Sequence, residues 1–113
     1  MGFGMGGGGN IGKMLQKQMM DMQRKMEETQ RELEADRVTA SAGGGMVTAT
    51  ASGLGKIVEV KINPEVIDPE DAEMLEDLVT AAVSEALEMS EKLREEKMGS
   101  LMPQGVGGLK GLM

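Results

Sequence analysis

The hydrophobic pattern changes period at residue 37, and that change limits the folds open to the chain. From Lys13 to Asp36 there is neither glycine nor proline, and Gln, Glu, Lys, Met and Leu dominate, all good helix formers. Ile11, Leu15, Met19, Met22, Met26, Thr29 and Leu33 recur in steps of four or three, closer to a coiled-coil seam than to a broad globular stripe. The period then becomes two. Val38, Ala40 and Ala42 alternate with Thr39 and Ser41; Val47, Ala49 and Ala51 alternate with Thr48, Thr50 and Ser52; Val58, Val60 and Ile62 alternate with Glu59 and Lys61. This predicts three half-buried strands, and the intervening glycines suit turns that need positive φ, so an antiparallel meander follows.

"NPEVIDPED" marks the return to helix, with Asp68 as the expected N-cap, Pro69 at the first helical position and Glu70, Asp71 and Glu73 where the helix dipole favours negative charge. Leu75, Leu78, Val79, Ala82, Ala86, Met89 and Leu93 form a stripe at helical spacing that ends near Met98 to Gly99. The class is therefore α+β, in the order α-β-β-β-α. Residues 1–10, "MGFGMGGGGN", hold almost nothing to bury and are expected to be disordered, with Asn10 capping the first helix. Residues 11–98 make one domain, and 99–113 a flexible glycine-rich tail.

A helix over residues 11–36 is ~39 Å long, whereas a six-residue strand covers ~20 Å. About half of the helix must overshoot the sheet. If its end near Asp36 is tied to the first strand, the overhang is the methionine-rich, basic half, whose apolar seam needs cover. A second copy of the chain supplies it, with Leu15, Met19, Met22 and Met26 at the dimer interface and the open edge of the meander as a further contact.

Composition narrows the function. Cysteine, histidine, tryptophan and tyrosine are absent and Phe3 is the single aromatic, so thiolate and imidazole chemistry and the usual base-stacking side chains are missing. No run approaches the ~20 apolar residues of a membrane span, and a soluble, cytoplasmic protein is expected. The net charge of −7 is unevenly spread. Residues 1–25 carry four bases and one acid, while residues 63–97 carry twelve acids and three bases.

Three motifs that suggest ligand chemistry have simpler explanations. "SAGGGMVTATASGLGK" ends in Gly55-Lys56, but a phosphate loop needs glycine where Thr50 stands and a hydroxyl where Ile57 stands. Gly2-x-Gly4-x-x-Gly7 is not preceded by a strand and reads as chance in a glycine tract. Asp68, Glu70, Asp71 and Glu73 fit the acidic first turn of a helix better than a cation site. No catalytic constellation, cofactor, metal or small-molecule substrate is expected. The methionines Met14, Met19, Met20, Met22 and Met26 read as a pliable packing surface, with a promiscuous partner groove as the alternative. Lys13, Lys17, Arg24 and Arg31 fall within a ~40° sector opposite the seam and span ~27 Å, enough to follow several phosphates. A solvated face is the plain alternative, since Glu27 and Glu28 are placed to pair with Arg31.

The segments "GKMLQKQMMDMQRKMEETQREL", "SAGGGMVTATASGLGKIVEVKINPEVI" and "DPEDAEMLEDLVTAAVSEALEMSEKLREEKMGSL" together resemble the YbaB/EbfC family of small bacterial nucleoid-associated proteins. The resemblance runs from Ile11 to Leu112, and its elements AGGG, the G-x-G-K turn, the "V-x-I-N-P" strand end and "EMLEDLV-x-A" are specific as an ordered set. It implies a homodimer whose long helices project like tweezers from a small sheet. It also implies binding to duplex DNA on the nucleoid, through the helices and with little or modest sequence preference. Chosen by charge on those helices, the candidate contacts are Lys13, Lys17, Arg24, Lys25 and Arg31 on the first and Lys92, Arg94 and Lys97 on the last. The long glycine-rich N-terminus and the acidic second helix depart from the family pattern. The competing function is a protein-interaction adaptor or holdase-like dimer that clasps a partner with its methionine-rich helices.

Overall fold

The computed structural model describes residues 2–101, with side chains from residue 10 onward. Helix α1 (Gly2–Ala35) leads into strands β1 (Arg37–Ala42), β2 (Val47–Ser52) and β3 (Ile57–Ile62), then two short 3-10 turns (Pro64–Val66 and Pro69–Asp71) and helix α2 (Ala72–Gly99). The order α-β-β-β-α is the one the change of period predicts. Residues from 102 onward, where the flexible tail was expected, lie outside the described residues.

Two expected boundaries are corrected. Helix α1 begins at Gly2 rather than at an Asn10 cap. The glycine run contains no proline, so no amide donor is lost; each glycine weakens a helix by about 1 kcal/mol relative to alanine without breaking it. Asp68 caps the 3-10 turn, accepting from the Glu70 amide at 3.0 Å. Asp71 caps α2 instead, accepting from the Met74 amide at 3.3 Å. The acidic cluster thus serves two successive turn starts.

The sheet is an antiparallel meander in the order β1-β2-β3. Gly43, Gly44, Gly45 and Gly55 all have positive φ, the region a side chain penalises, which explains glycine on both hairpins. Between β2 and β3, Thr50 pairs with Glu59 and Ala51 with Ile57, leaving Val58 as the extra residue of a bulge. The expected alternation of Val58 with Val60 and Ile62 is corrected by that residue. Ile57 takes the inward place, packing against the core, while Val58 is 42% exposed.

Helix α2 covers one face of the sheet, mainly over β1 and β2. The contact is made of small side chains: Ala40, Ala49 and Ala51 from the strands meet Ala82 and Ala86 from the helix, with Val47 and Val66 closing the cluster. The Ser90 hydroxyl donates to the Ser52 carbonyl oxygen at 2.7 Å, satisfying the polar group that α2 buries against the β2–β3 turn. Val60 and Ile62 share the inner face with their partners Ala49 and Val47, yet lie towards the open edge and stay exposed.

Helix α1 is tied to this unit chiefly near its C-terminal end. Leu33 is buried, and its carbonyl oxygen accepts from the Gly53 amide at 2.7 Å. A Cβ on Gly53 would stand 2.7 Å from that oxygen, so the approach requires glycine. The Lys97 ammonium closes the junction on the other side, 2.6 Å from Asp36 and 3.4 Å from Glu32.

Candidate nucleic-acid interface

The junction divides α1 into unequal parts. Thr29 and Leu33, the last two seam positions, are buried against the sheet unit. Ile11, Leu15, Met19, Met22 and Met26 continue the same seam into solvent, with Met19 72% exposed. Leu15, Met19, Met22 and Met26, together with Gln18 and Gln23, line one shallow groove. Met14 and Met20, grouped with the seam by composition, lie about 100° and 140° from its centre and do not belong to it.

Opposite the seam, Lys13, Lys17 and Arg24 are exposed on one face of α1, and Arg31 follows on the same line. Between Asn10 and Met26 the single acid is Asp21, whose carboxylate pairs with Arg24 at 2.9 Å. That pair is exposed and sits one helical turn apart, so it contributes ~0–1 kcal/mol and leaves the guanidinium free to exchange partners. Arg31 has a different setting, with Glu27 and Glu28 one turn before it. Lys25 lies about 120° from Lys13 and lines a cleft with Asp21, Met22 and the end of α2 at Ser100 and Leu101.

The bases of α2 do not join this surface. Lys92 is exposed with Glu88 and Glu96 one turn to either side, on a face that also carries Glu85, Glu91 and Glu95. Arg94 is half-buried beside the β2–β3 turn, its guanidinium 3.5 Å from where a Cβ on Gly55 would lie. Lys97 is engaged by Asp36 and Glu32; the hydrogen bond to Asp36 is the main cause that holds its pKa above the ordinary lysine value. Lys97 is consequently a strut between the helices, and any phosphate would have to compete with two carboxylates for it.

One base not singled out from sequence also has a structural task. The Arg37 guanidinium donates to the carbonyl oxygens of Glu34 and Asp36, both at 2.8 Å, satisfying acceptors that the end of α1 leaves unpaired. A base just past a helix C-terminus was the available signal. Among the described residues, no group of three or more acids is arranged to hold a metal ion, and no helix is long and apolar enough to cross a membrane.

Comparison with known proteins bears on the family and the fold of the chain. The family model described as the YbaB/EbfC DNA-binding family matches residues 6–106. A nucleoid-associated protein of Alkaliphilus metalliredigens is 48% identical over 98 residues, covering 87% of this chain and 85% of its own. One from Acetivibrio thermocellus is 49% identical over 107 residues, covering 95% and 93%. Among solved structures, the uncharacterized protein HP0035 from Helicobacter pylori has the same fold, with a TM-score of 0.70 at 21% identity over 79% of this chain and 94% of that one.

Proposed function

Because the chain belongs to the YbaB/EbfC DNA-binding family, we propose that it is a nucleoid-associated protein that binds duplex DNA as a homodimer through the basic face of α1. The observation that carries this reading is the two-sidedness of the free part of α1. An exposed apolar seam occupies one side, and Lys13, Lys17 and Arg24 occupy the other. The seam continues the row that Leu33 and Thr29 already bury, so a second copy extends an existing mode of packing instead of introducing a new one. Leu15, Met19, Met22 and Met26 supply that contact. Covering the seam leaves the bases facing outward, and two copies present two such faces to one duplex.

The mechanism is electrostatic and non-catalytic. Lysine and arginine displace condensed counterions from phosphates, which gives affinity without sequence information and makes binding fall steeply with salt. Low sequence specificity follows from that mode, and membership of a nucleoid-associated family supports our reading of a cytoplasmic location on the nucleoid, a contribution to its organisation and an influence on gene expression. The acidic outer face of α2 opposes close approach of DNA from its side, so the duplex is confined to α1. This assigns the contacts to Lys13, Lys17 and Arg24, with Lys25 and Arg31 at the margins, and takes Lys92, Arg94 and Lys97 out of the primary set.

A fluorescence-anisotropy titration of a labelled duplex over a salt series tests the proposal. The expected log-log slope is about −0.9 for each phosphate neutralised, and charge reversal at Lys17 and Arg24 should flatten it while the far-ultraviolet circular dichroism stays unchanged. Absence of binding at low salt, with a stoichiometric protein partner retained on purification, would instead establish the adaptor or holdase-like reading.

A further inference from the structure

Met20 is an apolar side chain on the side of α1 that faces away from the seam, and it is 64% exposed. Its neighbours one helical turn away are Gln16, Lys17, Gln23 and Arg24. None of the four is an acid, although acids outnumber bases 19 to 12 in the chain. The patch combines two bases, two amides and a central thioether, and the nearest acid, Asp21, is paired with Arg24 at its edge.

Those groups match the arrangement of a major groove. The groove is about 12 Å wide and admits an α-helix, whereas the minor groove, at about 6 Å, does not. Lys17 and Arg24 are ~10.5 Å apart along the helix, so both can reach phosphates at the rim while Met20, between them, points to the floor. The apolar group on that floor is the thymine 5-methyl, and glutamine is suited to the paired donor and acceptor of adenine. Resting on the duplex-DNA reading above, we propose that α1 lies in the major groove with Met20 against thymine methyls and Gln16 beside adenine edges. Phosphate contacts then supply most of the affinity, and this patch adds a modest preference for A·T-rich sequence.

Replacing thymine by deoxyuridine removes the methyl and leaves base pairing and the minor groove intact, which isolates this contact. The full-length protein is titrated by anisotropy against one A·T-rich duplex in its thymine and deoxyuridine forms. Wild-type protein should bind the thymine form about fourfold more tightly, the factor equivalent to about 0.8 kcal/mol for a buried methyl. Met20→Ala and Met20→Gln should bind both forms equally, with the wild-type salt slope retained. A wild-type ratio of one, or a ratio that survives in both variants, overturns the assignment of Met20. Failure of wild-type protein to bind either duplex at low salt overturns the duplex-DNA reading itself, so the two failures are distinguishable.

Discussion

The two parts of α1 share one spacing of apolar residues but have different surroundings. In the C-terminal part, Leu33 is 1% exposed and its row is closed by the β2–β3 turn; in the N-terminal part, Leu15 is 54% exposed on the same row. Helical periodicity alone therefore marks which face will be buried, while what buries it depends on how far the rest of the fold extends. A six-residue strand reaches about as far as one end of this helix. Past that point, the same pattern lies open to solvent.

Truncation at matched positions should separate the two parts. Leu33→Ala should destabilise the fold by about 2–5 kcal/mol in urea denaturation, the usual cost of deleting a fully buried leucine. Met19→Ala should leave folding of the chain nearly unchanged and act on assembly, seen as a higher dimer dissociation constant in sedimentation. Equal effects of the two substitutions on unfolding would erase the distinction.

Gly53→Ala sharpens the comparison at the boundary. The added methyl meets the Leu33 carbonyl oxygen and Cα at 2.7 and 3.0 Å, backbone atoms that cannot swing away. A loss of about 1–3 kcal/mol is expected, as for other overpacked sites, together with weaker DNA binding caused by a displaced α1. Unchanged thermal stability would show that the junction is softer than its geometry.

The smallest effect should come from Lys97. Its pKa is raised in the folded chain, so the stabilisation it provides is complete below the ordinary lysine value near 10.4 and is lost as pH rises past the raised value. Because the chain has no histidine, DNA affinity should be flat between about pH 6 and 7. Lys97→Met should loosen the helix junction, read by hydrogen exchange of the last turns of α1, without changing the salt slope of DNA binding. A slope reduced by about 0.9 would return Lys97 to the phosphate contacts.

Much of the architecture was legible because it rests on local signals. Alternating strands and glycines that tolerate positive φ announce the meander, and period-3.6 runs announce both helices. The bulge was not, because Ile57 and Val58 are both apolar and β-branched, so only backbone pairing decides which one turns inward. Nor was the division of capping between Asp68 and Asp71, two acids three residues apart that are equally good caps. For the candidate site, the basic stripe on α1 followed from helical geometry. The engagement of Lys97 did not, since its partners lie 61 and 65 residues away. Charge counted along a sequence does not distinguish a base that faces solvent from one already held by carboxylates.

The Leu33–Gly53 contact also acts as a fulcrum. From Thr29 back to Asn10, α1 forms a lever ~29 Å long, and a 10° tilt at its base would carry the far end through ~5 Å. Successive phosphates of one DNA strand advance by about 3.4 Å along the duplex axis, so on the duplex-DNA reading that displacement exceeds one axial step. On the duplex-DNA reading, the missing side chain of a single turn glycine thereby helps set which phosphates the basic face can reach.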